Sequence, residues 1–439
     1  MTTPPRARLR LCYFGALRTL DPPHERVLLD RTTSIDPEVR NATAGILTDV
    51  RVRGDLALRE LARRFDGVEL DELEVPRRHW RAALDEMEPT LRRAMERSVR
   101  NISTVHRAFL PTVTEISPEP GVIVGRRPDP LERVGVYAPG GRAAYPSSVL
   151  MGAVPARVAG VREVVLASPP ASNGLPTAVV LAAAELAGAD RVFALGGAGA
   201  VGALAYGTAS VPRVDRIVGP GNAYVVEAKL QVSGVVGIDS PAGPSELLVI
   251  ADGDASSEIV AREMLAQAEH DPRACVVAIV VGEAPATRLR DTLERLLSAQ
   301  QRRDIIEASL AGQGAILWTD RLDDAMHWAR VYAPEHLLLC VTEVDRALAE
   351  VRNTGTVFVG ETASVSFGDY MTGANHVLPT GGFARVHSGL STLEFFRWTT
   401  YQRVDRGAAA RLAGDVDVFA RSEGLYCHAA AAQAWSGER

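Results

Sequence analysis

The sequence predicts an α/β protein with two parallel-sheet domains, N-terminal helices and a helical C-terminal tail. Three observations carry this. From about residue 121, short aliphatic runs alternate with helix-length segments, the rhythm of a parallel, doubly wound sheet. Near residue 246 the rhythm starts again. The composition agrees: 46% of the 439 residues are hydrophobic but only 5% aromatic, as expected where buried parallel strands are aliphatic. The length itself exceeds one ordinary core.

In chain order, residues 1–35 read as an N-terminal arm, broken by Pro4, Pro5, Pro22 and Pro23 and leaving room for a short strand at most. Residues 36–120 are a helical segment packing on the core. Ile46, Val50 and Leu58 fall roughly on one helix face, and a second helical run covers about 78–108. The first α/β domain, 121–240, has strands expected at 132–137, 163–168, 191–195 and 214–218, with helices at about 148–160, 174–187, 200–207 and 222–232. The second, 241–380, has strands near 246–250, 275–281, 314–318, 336–340 and 356–359, and helices near 255–269, 284–299, 321–330 and 344–352. A polar loop region covers 361–392. The tail, 381–439, is expected to be helical over 393–435, where Ala429 to Ala434 favour helix. No sequence repeat is visible, although the two α/β halves have the rhythm of structural relatives.

A net charge of −6 gives no basic footprint for nucleic acid. Cys12, Cys275, Cys340 and Cys427 are far apart and make no CxxC pair, against a disulfide framework or zinc ribbon. The N-terminus lacks the apolar region of a secretory signal, and no apolar run has the length of a membrane span. Cytoplasm is the expected compartment.

The densest chemistry lies at Gly368-Asp369-Tyr370-Met371-Thr372-Gly373-Ala374-Asn375-His376-Val377-Leu378-Pro379-Thr380. A carboxylate, an amide and an imidazole sit there among glycines and a proline, a pattern for a loop and not a regular helix. Gln267 and His270 share one face near the end of a helix opened by Asp254 or Ser256, with Pro272 helping to end it. Such a pair is ordinarily a surface or core pair. Glu335 and His336 put an acid beside a base just before a strand; in extended chain they point to opposite sides and would serve different protons. Glu423 and His428 lie roughly 140° apart on an ideal helix and share a site only if a helix starts between them or the ligand is wide.

Three glycine loops fall at carboxyl ends of predicted strands: Ala138-Pro139-Gly140-Gly141, Gly197-Ala198-Gly199-Ala200-Val201-Gly202 and Gly219-Pro220-Gly221-Asn222. Open α/β sheets bind ligands at such ends. The second matches GxGxxG, and Asp215 follows where a ribose-binding acid is expected. That textual match is weak in a chain with 38 glycines, and close helix–strand packing is the favoured reading.

As an ordered set these segments resemble histidinol dehydrogenase, the zinc- and NAD-dependent family that ends histidine biosynthesis. The resemblance rests on Tyr137 to Gly141, Gly219 to Ala223, Pro241-Ala242-Gly243-Pro244-Ser245-Glu246, Gln267 to His270, Pro334-Glu335-His336-Leu337 and the loop at 368–380, and covers about residues 36–435. It implies two incomplete Rossmann-like domains wrapped by N-terminal helices and a C-terminal tail, and zinc ligands at Gln267, His270, Asp369 and His428. His428 would enter from the partner subunit of an intertwined homodimer. It implies substrate contacts at Ser245, Gln267, His270, His336, Asp369, Glu423 and His428, and NAD contacts at Tyr137 and Asn222. His376 is left as a substrate-pocket or supporting residue.

One departure stands out. Gly199 occupies a position where the family usually has a Gln that helps hold NAD, so a donor and an acceptor are missing. Weaker cofactor binding, or a water in place of the amide, is expected, and the GxGxxG match becomes a by-product of that change. The first 35 residues are also longer and less typical than the family pattern.

The implied reaction is oxidation of L-histidinol to L-histidine through the aldehyde with two NAD+. His336, neutral near pH 7, would be the base for the alcohol proton, and Glu335 would activate the hydrating water. The alternative weighed is a paralogous zinc and NAD dehydrogenase acting on another small alcohol, such as a sulfonated diol. A non-catalytic zinc or nucleotide sensor and a zinc hydrolase fit the combined motifs less well.

Overall fold

The computed structural model describes residues 9–31, 36–140 and 144–437. The chain opens with strand β1 (Tyr13–Ala16) and helix α1 (Pro22–Leu29). Four helices follow: α2 (Pro37–Arg53), α3 (Asp55–Leu61), α4 (Arg77–Asp85) and α5 (Pro89–Ala108). Helix α3 runs on into a π-helical turn, Ala62–Asp66. Prolines in the first turn of α1, α2 and α5, with Asp21, Asp36 and Glu88 as side-chain caps, fix where those helices begin. After β2 (Thr114–Ile116) and β3 (Val122–Pro130), the first parallel unit comprises β4 (Arg133–Tyr137), α6 (Pro146–Ala159), β5 (Glu163–Ser168), α7 (Ala178–Ala187), β6 (Arg191–Ala194), α8 (Gly197–Tyr206), β7 (Arg216–Val218), α9 (Ala223–Val232) and β8 (Gly237–Ile238).

The second unit comprises β9 (Glu246–Ala251), α10 (Ser257–Ala268), β10 (Cys275–Val281), α11 (Glu283–Leu297), α12 (Arg303–Gln313), β11 (Gly314–Thr319), α13 (Leu322–Tyr332), β12 (His336–Cys340), α14 (Val344–Glu350), β13 (Thr356–Val359) and α15 (Val365–Tyr370). The chain ends with β14 (Phe396–Val404), α16 (Arg406–Ser422) and α17 (Tyr426–Gln433).

Both parallel sheets have the same winding. The first has the order β6-β5-β4-β7-β8, and the second β1-β11-β10-β9-β12-β13. Counting strands within each unit, both read 3-2-1-4-5, with the reversal between first and fourth strands, the doubly wound pattern. The halves are therefore alike in topology though not visibly in sequence. In β9 alternate residues serve opposite faces: Leu247 and Val249 pack with α10, while Leu248 and Ile250 pack with Trp328 and Tyr332 of α13. Burial on both faces explains why this strand is aliphatic throughout. In the first unit, α2 covers α8 and α9, α4 covers α7, and α5 covers α6.

The N-terminal arm does contain a short strand, and β1 adds a parallel edge to β11 of the second sheet. The arm's first eight residues and Gly141 lie outside the described residues. Two expectations need correction. The tail is not helical from 393, because β14 pairs antiparallel with β3 over nine residues in a third sheet, β14-β3-β2. Phe396, Trp398, Thr399, Thr400, Tyr401 and Val404 are β-branched or aromatic, which favours strand. The polar segment is not loop from its start, because Gly368, Asp369 and Tyr370 end α15. Helix α12 escaped the sequence reading altogether. Among the described residues no helix is long and apolar enough to cross a membrane.

Candidate active site

Helix α13 ends at Ala333, a non-glycine residue held at φ 53°, and Pro334 then turns the chain into β12. Such a conformation costs energy and persists where the surroundings fix it. Gly355 makes the approach possible: a Cβ there would stand 2.6 Å from the Glu335 carbonyl oxygen. This turn buries Glu335 and His336 together at the amino end of β12. They do not point apart. Glu335 lies before the strand, outside its alternation, and its Oε2 comes within 3.3 Å of His336 Nδ1.

The orientation of His336 follows from hydrogen-bonding capacity. Nδ1 lies 2.9 Å from the Glu246 carbonyl oxygen, which can only accept, so Nδ1 carries a hydrogen. The other nitrogen, Nε2, is buried with no hydrogen-bond partner and lies 4.0 Å from Asp369 Oδ1. Burial alone would lower the His336 pKa, but the charge and hydrogen bond of Glu335, with Asp369, push it up to about 9. The ring by itself therefore does not titrate in the ordinary range assumed from sequence. His376 joins the cluster: its Nδ1 lies 3.0 Å from the Asp369 carbonyl oxygen, and burial pushes its pKa down.

Beneath the pair lies a buried framework. The Glu335 carboxylate accepts the Glu246 N–H at 2.7 Å, and the Glu246 carboxylate accepts the Glu335 N–H at 3.3 Å and the Gly381 N–H at 2.6 Å. Arg31 completes it, donating to Glu246 and to the Tyr332 carbonyl oxygen while its guanidinium stacks 3.5 Å over the Tyr332 ring. Glu246 is held up at about 7, because burial and the nearby Glu335 outweigh Arg31. Ser245, half-buried, immediately precedes this framework.

Gln267 and His270 close helix α10, whose cap is Ser256: its side chain accepts the Ile259 N–H. The helix ends at Ala268, and a tight His270 N–H to Gln267 carbonyl bond adds one turn. Gln267 is buried and His270 exposed. Glu263 on the same helix accepts the Val365 N–H at 3.1 Å, holding the start of α15. The ends of the two helices also meet, since Tyr370 feels the charges of both Asp369 and Glu269. An amide, an imidazole and a carboxylate thus come from adjoining helix ends, a donor set that suits zinc. Among the described residues no three His, Cys, Asp or Glu side chains gather around one point. The amide accounts for part of that. His428 lies exposed on α17, which packs on α16.

The loop after α15 ties this site to the first unit. Asn101 of α5 donates to the Met371 carbonyl oxygen at 2.6 Å, and Asn375 donates to the Met151 carbonyl oxygen of α6 at 2.8 Å. The catalytic candidates thus sit at the amino end of their strands, unlike the ligand loops of the first sheet.

In the first sheet, β4 and β7 meet at the reversal point. Gly219, at φ 117°, lies so close to Tyr137 that a Cβ would collide with its carbonyl oxygen. Asp239 accepts the Gly219 N–H at 2.7 Å, Lys229 donates to the Gly219 carbonyl oxygen at 3.0 Å, and the two side chains form a buried ion pair. A rigid, side-chain-free cradle at a carboxyl-end reversal point fits a dinucleotide. The Tyr137 hydroxyl accepts the Gly197 N–H at 3.1 Å. Asn222 is exposed, and its side-chain oxygen caps α9 by accepting from Tyr224 and Val225. Gly199 faces away from the cradle: a Cβ there would stand 2.8 Å from Leu61 of α3. Gly199 and Gly202, the latter against Leu47, therefore serve helix packing, whereas Gly197 is held at φ 60° in open space. Asp215 accepts the Arg133 N–H at the amino end of the sheet, where it cannot meet a ribose at the other end.

Similarity to known proteins agrees with this architecture. The family model for histidinol dehydrogenase matches residues 29–435. The histidinol dehydrogenase of Methanosarcina mazei is 43% identical over 92% of this chain and 93% of its own length. That of Halobacterium salinarum is 46% identical over 96% and 98%. The crystal structure of histidinol dehydrogenase from Elizabethkingia anophelis matches with TM-score 0.93 at 30% identity, covering 98% of both chains. The chain belongs to the histidinol dehydrogenase family. Members of that family are NAD-dependent oxidoreductases, and none of these matches supports the sulfonated-diol alternative.

For a histidinol dehydrogenase, two positions were missed from sequence. Arg31 and Glu246 lie beneath the acid–base pair. The available signal was a carboxylate opening an otherwise aliphatic strand, Glu246 to Ala251, which demands a buried cation. Glu423 and His428 are not gathered with the other candidates in one chain. A helix does start between them: Glu423 closes α16, Gly424 breaks it at φ 75°, and His428 lies in α17. Val418, Phe419 and Tyr426 are 69%, 70% and 65% exposed, so this helix pair presents an apolar face that none of the described residues covers.

Proposed function

We propose that this chain oxidises L-histidinol to L-histidine by way of L-histidinaldehyde, using two NAD+ and one water. The observation that carries the residue assignment is the orphaned His336 Nε2, buried beside Asp369 while Nδ1 is fixed by the Glu246 carbonyl. A buried ring nitrogen without a partner is costly unless a ligand supplies one.

In this reading zinc on Asp369 would offset the negative charge that raises the ring's pKa, and the neutral Nε2 takes the hydroxyl proton of the alcohol and later that of the hydrated aldehyde. Glu335, whose carboxylate is held beside the ring, takes the proton of the hydrating water. Ser245 and Glu423 contact substrate. Gln267, His270, Asp369 and the partner subunit's His428 would hold zinc, which supplies Lewis acidity and a fixed point for the amine and imidazole of the substrate. Tyr137, Asn222 and the Gly219 cradle would hold NAD, which supplies the hydride acceptor. Gly199 contributes packing alone.

The exposed apolar residues of α16 and α17 support an intertwined homodimer with shared sites. Four free cysteines suit a reducing compartment and hence the cytoplasm. The test is NADH stoichiometry. Two NADH per L-histidinol, abolished by a chelator and restored by zinc, is the expected result. One NADH with accumulating aldehyde, or full activity after chelation, would overturn it.

A further inference from the structure

Asp66 ends the π-helical turn after α3, well away from the acid–base pair in sequence and in fold. It is half-buried, and its carboxylate makes no hydrogen bond or ion pair with any described residue. Burial raises its pKa to about 6. A carboxylate so placed has acceptor capacity that nothing in the chain uses.

Its surroundings define what it faces. A Cβ built on Gly196 would lie 3.7 Å from Asp66 Oδ1 and 2.8 Å from Pro169 Cβ. Gly196 follows β6 and Pro169 follows β5. The charge of Asp66 also bears on the Tyr137 hydroxyl at the end of β4, the group that accepts the Gly197 N–H. Asp66 therefore overhangs the carboxyl ends of the first three strands of the first sheet.

In doubly wound dinucleotide-binding sheets, the acid that binds the adenosine ribose follows the second strand. Here that strand is β5, and the residues after it are Pro169, Pro170 and Ala171, with no acid. Asp215, the textual candidate, sits at the opposite end of the sheet. The N-terminal segment brings a carboxylate to the vacant position from outside the sheet.

We propose that Asp66 accepts hydrogen bonds from the adenosine ribose hydroxyls of the dinucleotide and sets the preference for NAD over NADP. The inference rests on the NAD reading above. The diol offers the donors that the carboxylate lacks, and a 2′-phosphate would meet like charge and lose the 2′-hydroxyl donor.

The test is direct binding, read by the fluorescence of NADH and NADPH titrated against the wild-type protein, Asp66→Asn and Asp66→Ser. Loss of charged hydrogen bonds should weaken NADH by roughly tenfold or more. NADPH should bind the variants as well as or better than it binds wild type, so the NADH:NADPH preference shrinks in both. L-histidinol binding by calorimetry and the melting temperature should hold, which separates lost recognition from lost folding. Unchanged NADH affinity and preference in both variants would overturn the assignment while leaving the NAD reading intact. A wild-type protein that binds neither nucleotide would overturn both.

Discussion

Glu246 and Glu335 hold each other's backbone: the Glu335 carboxylate accepts the Glu246 N–H at 2.7 Å, and the Glu246 carboxylate accepts the Glu335 N–H at 3.3 Å. The amino ends of β9 and β12, neighbours at the reversal point of the second sheet, are thereby latched together. Glu335 has two duties in this arrangement, a structural bond through Oε2 and a position beside the His336 ring.

Glu335→Gln separates those duties. The amide oxygen can still accept the Glu246 N–H, so the fold should hold, but the amide cannot take a proton from water. L-histidinol oxidation to the aldehyde should survive in part, while oxidation of supplied L-histidinaldehyde falls by about 10²-fold or more. Assaying the two half-reactions separately checks this. Equal losses in both would count against dividing the proton transfers between Glu335 and His336.

Arg31 tests the framework beneath. Its side chain and that of Glu246 are each 1% exposed. Removing one partner leaves the other charged and buried, which costs about 3–5 kcal/mol. Arg31→Met should therefore lower the melting temperature by roughly 3–5 °C in a chain of this size. Adding Glu246→Gln to it should recover part of the loss, because the stranded charge is gone. Additive losses in the double variant would show that the pair is not coupled.

The two parallel sheets were legible because their strands are aliphatic runs spaced by helices, and both wind as that rhythm requires. Strand β1 was not, since Tyr13 to Ala16 are too few to show a period and gain their place only by pairing with β11. β14 was lost for a different reason: its nine residues include β-branched and aromatic ones, but they show no alternating buried face. Its polar, exposed residues become a strand because β3 offers an edge. At the site, the resemblance carried by the ordered motifs pointed to Glu335, His336, Gln267, His270 and Asp369 as candidates. They could not reveal that Glu335 folds back onto the ring, since that depends on the left-handed turn at Ala333. Nor could spacing reveal Arg31, which lies 215 residues from Glu246.

A buried histidine far from the site sets a pH limit on the fold. His106 Nδ1 accepts the Thr392 N–H at 3.2 Å, so the neutral ring is the form that fits, and Nε2 is buried without a partner. Burial pushes its pKa from 6.5 to about 4. Between these values the unfolded chain binds the extra proton, so stability is full above pH 6.5 and is lost as pH falls toward 4. The loss approaches about 3 kcal/mol. Urea midpoints of wild type and His106→Gln, at pH 7.5 and pH 4.5, isolate this contribution. The variant should lose less stability on acidification than wild type. Equal acid losses would place the sensitivity elsewhere.

Mixed dimers test whether sites are shared. If His428 serves the partner's Gln267, His270 and Asp369, then His428→Ala and Asp369→Ala are each inactive as pure homodimers. In a mixed dimer both lesions fall in one site, and the other site is wholly wild type. Co-expression with random pairing makes half of the dimers mixed, each with one sound site, so activity should return to roughly a quarter of wild type. Zinc content should recover in step, one ion per mixed dimer. If His428 instead acted within its own chain, every site in every mixture would carry one lesion, and neither activity nor metal would return.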